Sequence, residues 1–410
     1  MPEFLELLPP GKALSHLMSH LARRTEAEEI ATGQAFGRVT ATRVLAPHPL
    51  PAFPRTTVDG YAVRAADTFG ASDSLPAYLN LIGEVPMGAA SGFRLEAGQC
   101  AMIHTGGMLP SGADAVVMIE HTQAAAAGEV EILRAAAIGE NVLKVGEDVA
   151  QGEDVIQAGT RLRPAEIGGL MALGITRLMV ARQPRVGILS SGDEVVPPEV
   201  TPGPGQVRDV NAYTLSALVE AAGGVAVRYG IIPDNQADML AAAERSLHEC
   251  DLVVITAGSS ASTRDLTALV INELGEPGVL VHGVNVRPGK PTILAVCGGK
   301  AVIGLPGNPV SALVIAGLFV VPVIEFCLGV RQVRPRPAVW ARLAINLPSQ
   351  AGREDWFPVR LVPAADGYRA EPVFGKSNLI FHLAQADGLV RILADANGLA
   401  AGELVEVFFI

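Results

Sequence analysis

Hydrophobic and polar positions follow two different periods along the chain, and the change of period divides it into regions. Between residues 183 and 331, apolar runs such as RVGILSS, VAVRYGII and DLVVITA alternate with stretches of helical spacing. This pattern predicts helices over 211–222, 236–249 and 263–274, and a strongly apolar helix over 310–324. Strands that alternate with helices require a mostly parallel sheet with helices on both faces. We therefore expect a doubly wound α/β unit.

The flanking regions have shorter patterns. Four apolar residues between Leu14 and Leu21 recur at three- and four-residue spacing, and a second short helical signal covers 28–36. Glycine and proline break residues 58–146 into short apolar runs, which indicates a β-rich unit. After residue 331, five short alternating segments are typical of a small β-barrel or a β-sandwich-like domain.

Three turns of the α/β region follow strands and carry groups suited to anions or metal ions. They are SSGDE at 190–194, TAGSSASTRD at 256–265 and LPGNP at 305–309. Because such sheets bind ligands at the carboxyl ends of their strands, we expect the three turns to form one rim. Asp193 and Glu194 can hold Mg²⁺ or transfer a proton, although turn carboxylates also commonly accept backbone N–H groups.

Other candidate groups lie in rigid or glycine-rich turns. Arg287 and Lys290 stand on a proline-stiffened loop, RPGKP, that suits an anion clamp or a simple solvated turn. Asp59, Thr105 and Asp148 lie in glycine turns of the β-rich region, where a purely structural role is the simpler alternative. The sequence contains no GxGxxG, no P-loop string and no HExxH, which argues against a generic Rossmann-type nucleotide enzyme.

Composition narrows the classes of protein. The 410 residues carry a formal net charge of −11, which disfavours nucleic-acid binding. The four cysteines are far apart in sequence, so we expect a reducing cytoplasm rather than a disulfide framework. We find no signal-peptide pattern at the N-terminus, and the apolar run at 310–324 is shorter than the ~20 residues that span a bilayer. A cytoplasmic protein with no membrane element is expected.

The order of several motifs is more specific than any single turn. PRTTVDGYAVRAAD, HTGGMLPSGADAVVMIE, RVGILSSGDEVV, HGVNVRPGKPT and IGLPGNPVSALV follow one another along the chain. In this order they resemble the MoeA-type molybdopterin molybdenumtransferases, a family also represented by the E domain of gephyrin. The resemblance runs from about residue 10 to the C-terminus.

The resemblance implies a specific reaction and architecture. Molybdenum from molybdate is inserted into adenylylated molybdopterin, AMP is released, and Mg²⁺ is the cofactor. A homodimer is implied, in which the α/β domain of one subunit meets the β-rich domain of the other, with the molybdopterin adenylyltransferase and recipient molybdoenzymes as further partners. The implied domains are an elongated N-terminal domain (1–48 with 146–180), a β-rich domain (49–145), a MogA-like α/β domain (181–330) and a C-terminal β-barrel (331–410).

The resemblance also assigns site residues. The implied catalytic residues are Asp59, Thr105, Asp148, Glu194, Asp234 and Asp265. Three of these, Glu194, Asp234 and Asp265, are expected to hold Mg²⁺ and the AMP phosphate. The implied binding residues are Ser190, Ser191, Gly192, Asp193, Gly258, Ser259, Arg287, Lys290, Pro306, Gly307, Asn308 and Pro309.

Two alternatives stay open, and the first rests on a departure from the family pattern. The loop at 256–265 is one residue shorter than the family pattern and has serine at positions where glycine is frequent. Such a loop is compatible with a non-catalytic, molybdopterin-binding scaffold paralogue. A tungstate-inserting homologue is the second alternative, because molybdate and tungstate share charge and tetrahedral shape.

Overall fold

The computed structural model describes residues 7–22, 24–126, 128–257, 261–331 and 337–410, and of residues 261–265 it describes the backbone alone. It confirms the predicted fold class. A doubly wound α/β unit lies in the middle of the chain, a β-rich unit precedes it, and a small closed barrel follows it.

Residues 7–182 contain three short antiparallel ladders and a six-stranded sheet. The ladders pair early strands with late ones, β1 with β12, β2 with β11 and β3 with β10. The strands of the sheet, in the order β7-β4-β6-β5-β9-β8, lie between β3 and β10 in sequence. The elements are α1 (Pro10–Ser19), β1 (Ala27–Ala31), β2 (Val44–Leu45), β3 (Arg55–Thr56), β4 (Gly60–Val63), β5 (Ala77–Glu84), β6 (Gln99–Ile103), β7 (Ala115–Met118), β8 (Thr122–Ala124), β9 (Glu129–Ile132), β10 (Val142–Leu143), β11 (Asp154–Ile156), α2 (Pro164–Ala172) and β12 (Arg177–Ala181).

The helix expected over 28–36 is wrong. Strand β1 occupies Ala27–Ala31 and a 3₁₀ turn follows at Thr32–Gln34. The backbone of β1 pairs with β12, with Glu29 opposite Met179 and Ala31 opposite Arg177. The Arg177 side chain also forms an ion pair with Glu29 at 2.8 Å. A ladder between distant segments overrides the helix propensity of AEEIA, whose alanine and glutamate residues favour a helix.

Residues 183–331 form the α/β unit around the sheet β16-β13-β17-β21-β20-β18. The first four strands are parallel, and β20 and β18 are antiparallel. Helices α1, α3, α6 and α7 cover one face, while α4 and α5 cover the other. The elements are β13 (Arg185–Ser191), β14 (Val195–Val196), β15 (Val207–Arg208), α3 (Asn211–Ala222), β16 (Val225–Ile232), α4 (Gln236–Glu249), β17 (Leu252–Ala257), α5 (Ala261–Glu273), β18 (Pro277–His282), β19 (Val286–Arg287), β20 (Ile293–Cys297), β21 (Lys300–Pro306), α6 (Pro309–Ile315) and α7 (Val321–Cys327).

The expected apolar helix is confirmed and is longer than its pattern. A π-helical turn, Ala316–Val320, joins α6 to α7, so that Pro309–Cys327 is one continuous 19-residue helix. By length and composition it is apolar enough to cross a membrane, yet 61% of its apolar 18-residue window is buried inside the protein. Phe319 and Ile324 are fully buried in the larger core, as expected for the central helix of an α/β unit.

Residues 337–410 form a five-stranded barrel that closes as β24-β25-β22-β28-β26 and back to β24. Strand β19 of the α/β unit adds to its outside by pairing with β24. Trp356, Leu383 and Leu389 pack into the core of the α/β unit, so the two units share one hydrophobic cluster. The elements are β22 (Ala338–Leu343), β23 (Leu347–Pro348), β24 (Glu354–Ala364), β25 (Gly367–Pro372), α8 (Ile380–Ala384), β26 (Gly388–Ile392), β27 (Gly398–Leu399) and β28 (Leu404–Phe409).

Candidate active site

Buried polar atoms without partners collect where the parallel strands end. Ser190 and Ser191 close β13 and are 2% and 6% exposed, yet neither Oγ has a hydrogen-bond partner. The same holds for Oδ1 of Asn211, which begins α3, and for Oδ1 of Asp234, which follows β16; Ser191 lies close enough to Asp234 to affect its charge but not in hydrogen-bond geometry. Because successive strand residues face opposite sides of a sheet, the side chains of Ser190 and Ser191 lie on opposite faces of the sheet at this edge. Such orphaned groups are rare in native proteins and call for a ligand or ordered water.

Three carboxylates share the end of β13 and β16. The backbone N–H of Asp234 donates to Asp193 Oδ1 at 3.2 Å. Desolvation raises the pKa of Asp234, the negative charges of Asp193 and Glu194 add to the rise, and the Ser191 hydroxyl partly offsets it. The site therefore holds more negative charge than its own residues neutralise.

Gly192 is required by the geometry of this turn. Its φ is +140°, and a Cβ there would lie 2.8 Å from both Glu194 Oε2 and Val195 Cγ2. A side chain at position 192 would therefore displace the Glu194 carboxylate. Gly192 thus lets the acidic turn fold back on itself, and its predicted role in binding stays a prediction.

The chemistry of this acidic turn fits Mg²⁺, which prefers carboxylate oxygens. A divalent cation would relieve both the repulsion among the carboxylates and the orphaned Asp234 oxygen. Among the described side chains, no three His, Cys, Asp or Glu groups are arranged as a complete metal site. Asp265, the third predicted ligand, lies in α5, where only the backbone is described, so the trio stays a prediction. Gly258 and Ser259 lie outside the described residues.

The LPGNP turn connects this rim to the C-terminal barrel. Asn211 Nδ2 donates to the Gly307 carbonyl at 2.8 Å. Asn308 precedes α6, with Pro309 in its first turn, and its Nδ2 donates to Ser377 Oγ of the barrel region at 3.0 Å. Pro306 is buried at the end of β21, beside Ala257 of β17. The turn therefore places its backbone between two separate polar regions.

The second polar region is a cleft of about 950 Å³ between the α/β unit and the barrel. Arg287, Lys290, Arg353 and Lys376 all line it, which brings the two predicted cations together with two that sequence analysis missed. Arg353 Nε donates to buried Asp355 at 2.8 Å, and Arg287 lies 3.8 Å from the same carboxylate while its side chain is 58% exposed. Asp355 thus anchors two guanidinium groups at the cleft wall and leaves Lys290 and Lys376 for an anion.

Sequence analysis missed Asn211, Arg353 and Ser377. Asn211 stands in the motif GQVRDVNAYTL, at the first residue of a predicted helix, and a polar side chain at that position could have been predicted to face the rim. Arg353 and Ser377 belong to a barrel whose strands carry no turn motif. They reach the cleft only because β19 pairs with β24 and because the Ser377 carbonyl accepts the Val310 N–H at 3.1 Å.

Asp59 and Thr105 are in contact on the β-rich unit. The backbone N–H and the hydroxyl of Thr105 both donate to Asp59 Oδ1, at 2.7 and 3.1 Å. These hydrogen bonds, with a smaller contribution from His104, lower the pKa of Asp59. Asp148 is exposed in the turn after β10 and donates its N–H to the Leu50 carbonyl at 3.0 Å. Within the described residues, no hydrogen bond or ion pair joins these three residues to the α/β rim.

Comparison with known proteins gives the same order of regions. Residues 8–174 match the MoeA N-terminal region (domain I and II), residues 187–325 a probable molybdopterin binding domain, and residues 340–410 the MoeA C-terminal region (domain IV). A putative molybdopterin biosynthesis protein of Methanocaldococcus jannaschii is 34% identical over 403 residues, which cover 96% of this chain and 95% of that protein. The chain belongs to the MoeA family.

Further MoeA relatives agree over nearly the whole length. Molybdopterin molybdenumtransferase 1 of Mycobacterium tuberculosis is 32% identical over 404 residues, 93% of this chain and 94% of that one. A crystal structure of the MoeA protein of Pyrococcus horikoshii OT3 covers 99% of this chain and 100% of its own, with a TM-score of 0.86 at 30% identity. The predicted family, a transferase enzyme and a role in molybdenum cofactor biosynthesis are confirmed.

Proposed function

We propose that this chain inserts molybdenum from molybdate into adenylylated molybdopterin and releases AMP, as a cytoplasmic homodimer assisted by Mg²⁺. The observation that carries the proposal is the set of four buried, unpartnered polar atoms at the carboxyl ends of β13 and β16 and at the start of α3. A buried polar group without a partner costs about 1–3 kcal/mol. A site that keeps four such atoms is built for a ligand that supplies their partners.

The two polar regions suit different parts of one reaction. At the rim, Asn211 offers an acceptor oxygen and Ser190 and Ser191 offer hydroxyls, which match the hydroxyl and amino groups of a nucleotide or pterin. The cationic cleft suits a tetrahedral oxyanion such as molybdate. The hydrogen bond from Asn211 to Gly307 connects the two regions, so a substrate at the rim lies next to the molybdate cleft.

The acidic turn gives Mg²⁺ its place in this proposal. Glu194, Asp234 and Asp265 would hold the ion, and their carboxylates match its preference for hard oxygen ligands. When bound, Mg²⁺ would neutralise negative charge on the phosphoanhydride and on the departing AMP phosphate. Without the ion, Asp234 remains desolvated among like charges, which is the state that its raised pKa reflects.

The exposed Asp59–Thr105 pair supports the dimer part of the proposal. Asp59 and Thr105 lie on the β-rich unit, and their side chains carry a fixed hydrogen-bond geometry although they face solvent. A second subunit that brings its own α/β rim against this surface would use the ordered carboxylate and hydroxyl. Asp148 would join the same composite site. The product would then pass to recipient molybdoenzymes, after supply of the substrate by the molybdopterin adenylyltransferase.

AMP release from adenylylated molybdopterin with molybdate and Mg²⁺ tests the proposal. Glu194→Ala should lower the rate by at least about tenfold, because an exposed metal-binding carboxylate is lost while the fold is untouched. Glu199→Ala removes an exposed carboxylate from the neighbouring β14–β15 connection and serves as the matched control. If Glu194→Ala lowers the melting temperature so far that unfolding accounts for the lost rate, the catalytic role is contradicted. Tight pterin binding without AMP release would favour a scaffold, and a response to tungstate alone would favour tungsten insertion.

A further inference from the structure

The cationic cleft contains one imidazole that the proposed function has not used. His382 lies on α8 and lines the cleft together with Arg287, Lys290, Arg353 and Lys376. Its Nδ1 is buried and has no hydrogen-bond partner within the described part of the chain. A histidine in this position is not explained by packing alone, because an orphaned ring nitrogen costs free energy.

The ring is held tightly against a glycine backbone. A Cβ on Gly375 would overlap His382 Nδ1, so any other residue at 375 would displace the imidazole. Gly375 precedes Lys376 and Ser377, and Ser377 accepts the Asn308 side chain and the Val310 N–H. His382 therefore packs beneath the loop that joins the barrel to the first turn of α6.

The buried Nδ1 decides which nitrogen carries the ring proton. A buried N–H without an acceptor is rarer in native proteins than a buried acceptor without a donor. An imidazolium ring would place a buried Nδ1–H there and add one more positive charge to four cations. The neutral ring with its proton on Nε2 avoids both, which leaves Nε2–H as its single donor.

We propose that His382 is an oxyanion-binding residue, whose Nε2–H donates to an oxygen of the tetrahedral oxyanion in the cleft. The inference rests on the proposed function, because that function places molybdate in this cleft. It adds a neutral, oriented donor to the four cations of the cleft. A fixed donor selects geometry, whereas lysine side chains attract any anion.

Calorimetric titration of the full chain with sodium molybdate tests this assignment. His382→Phe keeps an aromatic ring but removes both nitrogens, and His382→Gln keeps an amide donor at a similar reach. We expect His382→Phe to raise the Kd for molybdate by about tenfold, the effect of one lost hydrogen bond to a charged acceptor. His382→Gln should stay within about threefold of the unmodified chain. His248→Phe, at an exposed histidine near the end of α4, is the matched control and should leave the Kd unchanged.

A second readout does not depend on the ligand. Nitrogen NMR of ¹⁵N-histidine-labelled protein should show the His382 ring, assigned from its absence in His382→Phe, as the Nε2–H tautomer. Molybdate should shift that signal. An Nδ1–H tautomer, or His382→Phe binding molybdate as tightly as the unmodified chain, would overturn the assignment. If the unmodified chain binds no molybdate at all, the oxyanion cleft of the proposed function fails and the role of His382 fails with it.

Discussion

Replacing Ser190 by alanine should separate stability from function. The Ser190 hydroxyl is 2% exposed and unpartnered, so the folded protein pays its desolvation without a compensating hydrogen bond. Removing a hydroxyl that does make a buried hydrogen bond costs about 1 kcal/mol of unfolding free energy, whereas an unpaired one costs the folded state about 1–3 kcal/mol. We therefore expect Ser190→Ala to leave the free energy of unfolding unchanged or to raise it by up to about 1 kcal/mol.

The same substitution should weaken catalysis. If Ser190 Oγ meets a donor or acceptor of the bound substrate, its loss should slow AMP release by about tenfold, the equivalent of about 1.4 kcal/mol. Urea denaturation and the AMP-release assay on one preparation measure both effects.

Thr68→Val is the matched stability control for this experiment. Thr68 is fully buried in the β-rich unit, donates to the Ala65 carbonyl at 2.8 Å and accepts the Ala136 N–H at 2.9 Å. Its loss leaves a buried N–H unpaired and should cost about 1–3 kcal/mol. The reasoning is refuted if Ser190→Ala destabilises the protein as much as Thr68→Val does, or if it releases AMP at the full rate.

Three further predictions concern other parts of the molecule. Glu166→Gln should lower the unfolding free energy by about 1 kcal/mol at pH 7, because Arg163 and the start of α2 hold the pKa of Glu166 at about 2. The stabilisation by the ionised Glu166 is fully present above its ordinary pKa of 4.5 and disappears as pH falls through about 2. Urea titrations at pH 7 and pH 2.5 should therefore show a smaller difference in unfolding free energy between Glu166→Gln and the unmodified chain at the lower pH. A difference that stays constant would contradict the capping role. Thr105→Val should raise the pKa of Asp59 towards its ordinary value, as followed by carbon NMR of the carboxyl group, and no rise would mean that the hydroxyl is not engaged. Lys290→Ala should weaken molybdate binding about fivefold by calorimetry without changing the melting temperature, since the side chain is exposed. An unchanged Kd would show that Lys290 does not bind the oxyanion.

The α/β unit was predictable because its local patterns and its tertiary structure agree. The spacing predicted helices over 211–222 and 236–249, and α3 and α4 have those bounds. Apolar runs became buried parallel strands, and the five alternating C-terminal segments became the five strands that close the barrel. Motif order identified the family before any contact was known.

What the sequence could not supply depends on contacts between distant segments. The strand at Ala27–Ala31 exists because β12 pairs with it. The cleft exists because β19 adds to β24, which brings Arg353 beside Arg287 through the buried Asp355. The orphaned oxygens of Ser190 and Asn211 likewise depend on burial, which no local pattern records. The predicted domain bounds and the catalytic roles of six residues stay predictions, those of Asp59, Thr105, Asp148, Glu194, Asp234 and Asp265.

Molybdate-dependent AMP release by the purified chain tests the central claim most directly. Adenylylated molybdopterin and Mg²⁺ would be supplied with and without molybdate, and AMP would be quantified by chromatography. The account predicts that AMP appears in step with molybdenum bound to the pterin and that chelation of Mg²⁺ stops it. If the chain binds adenylylated molybdopterin but releases no AMP under any of these conditions, the account is contradicted. The chain would then be a binding protein of the same fold.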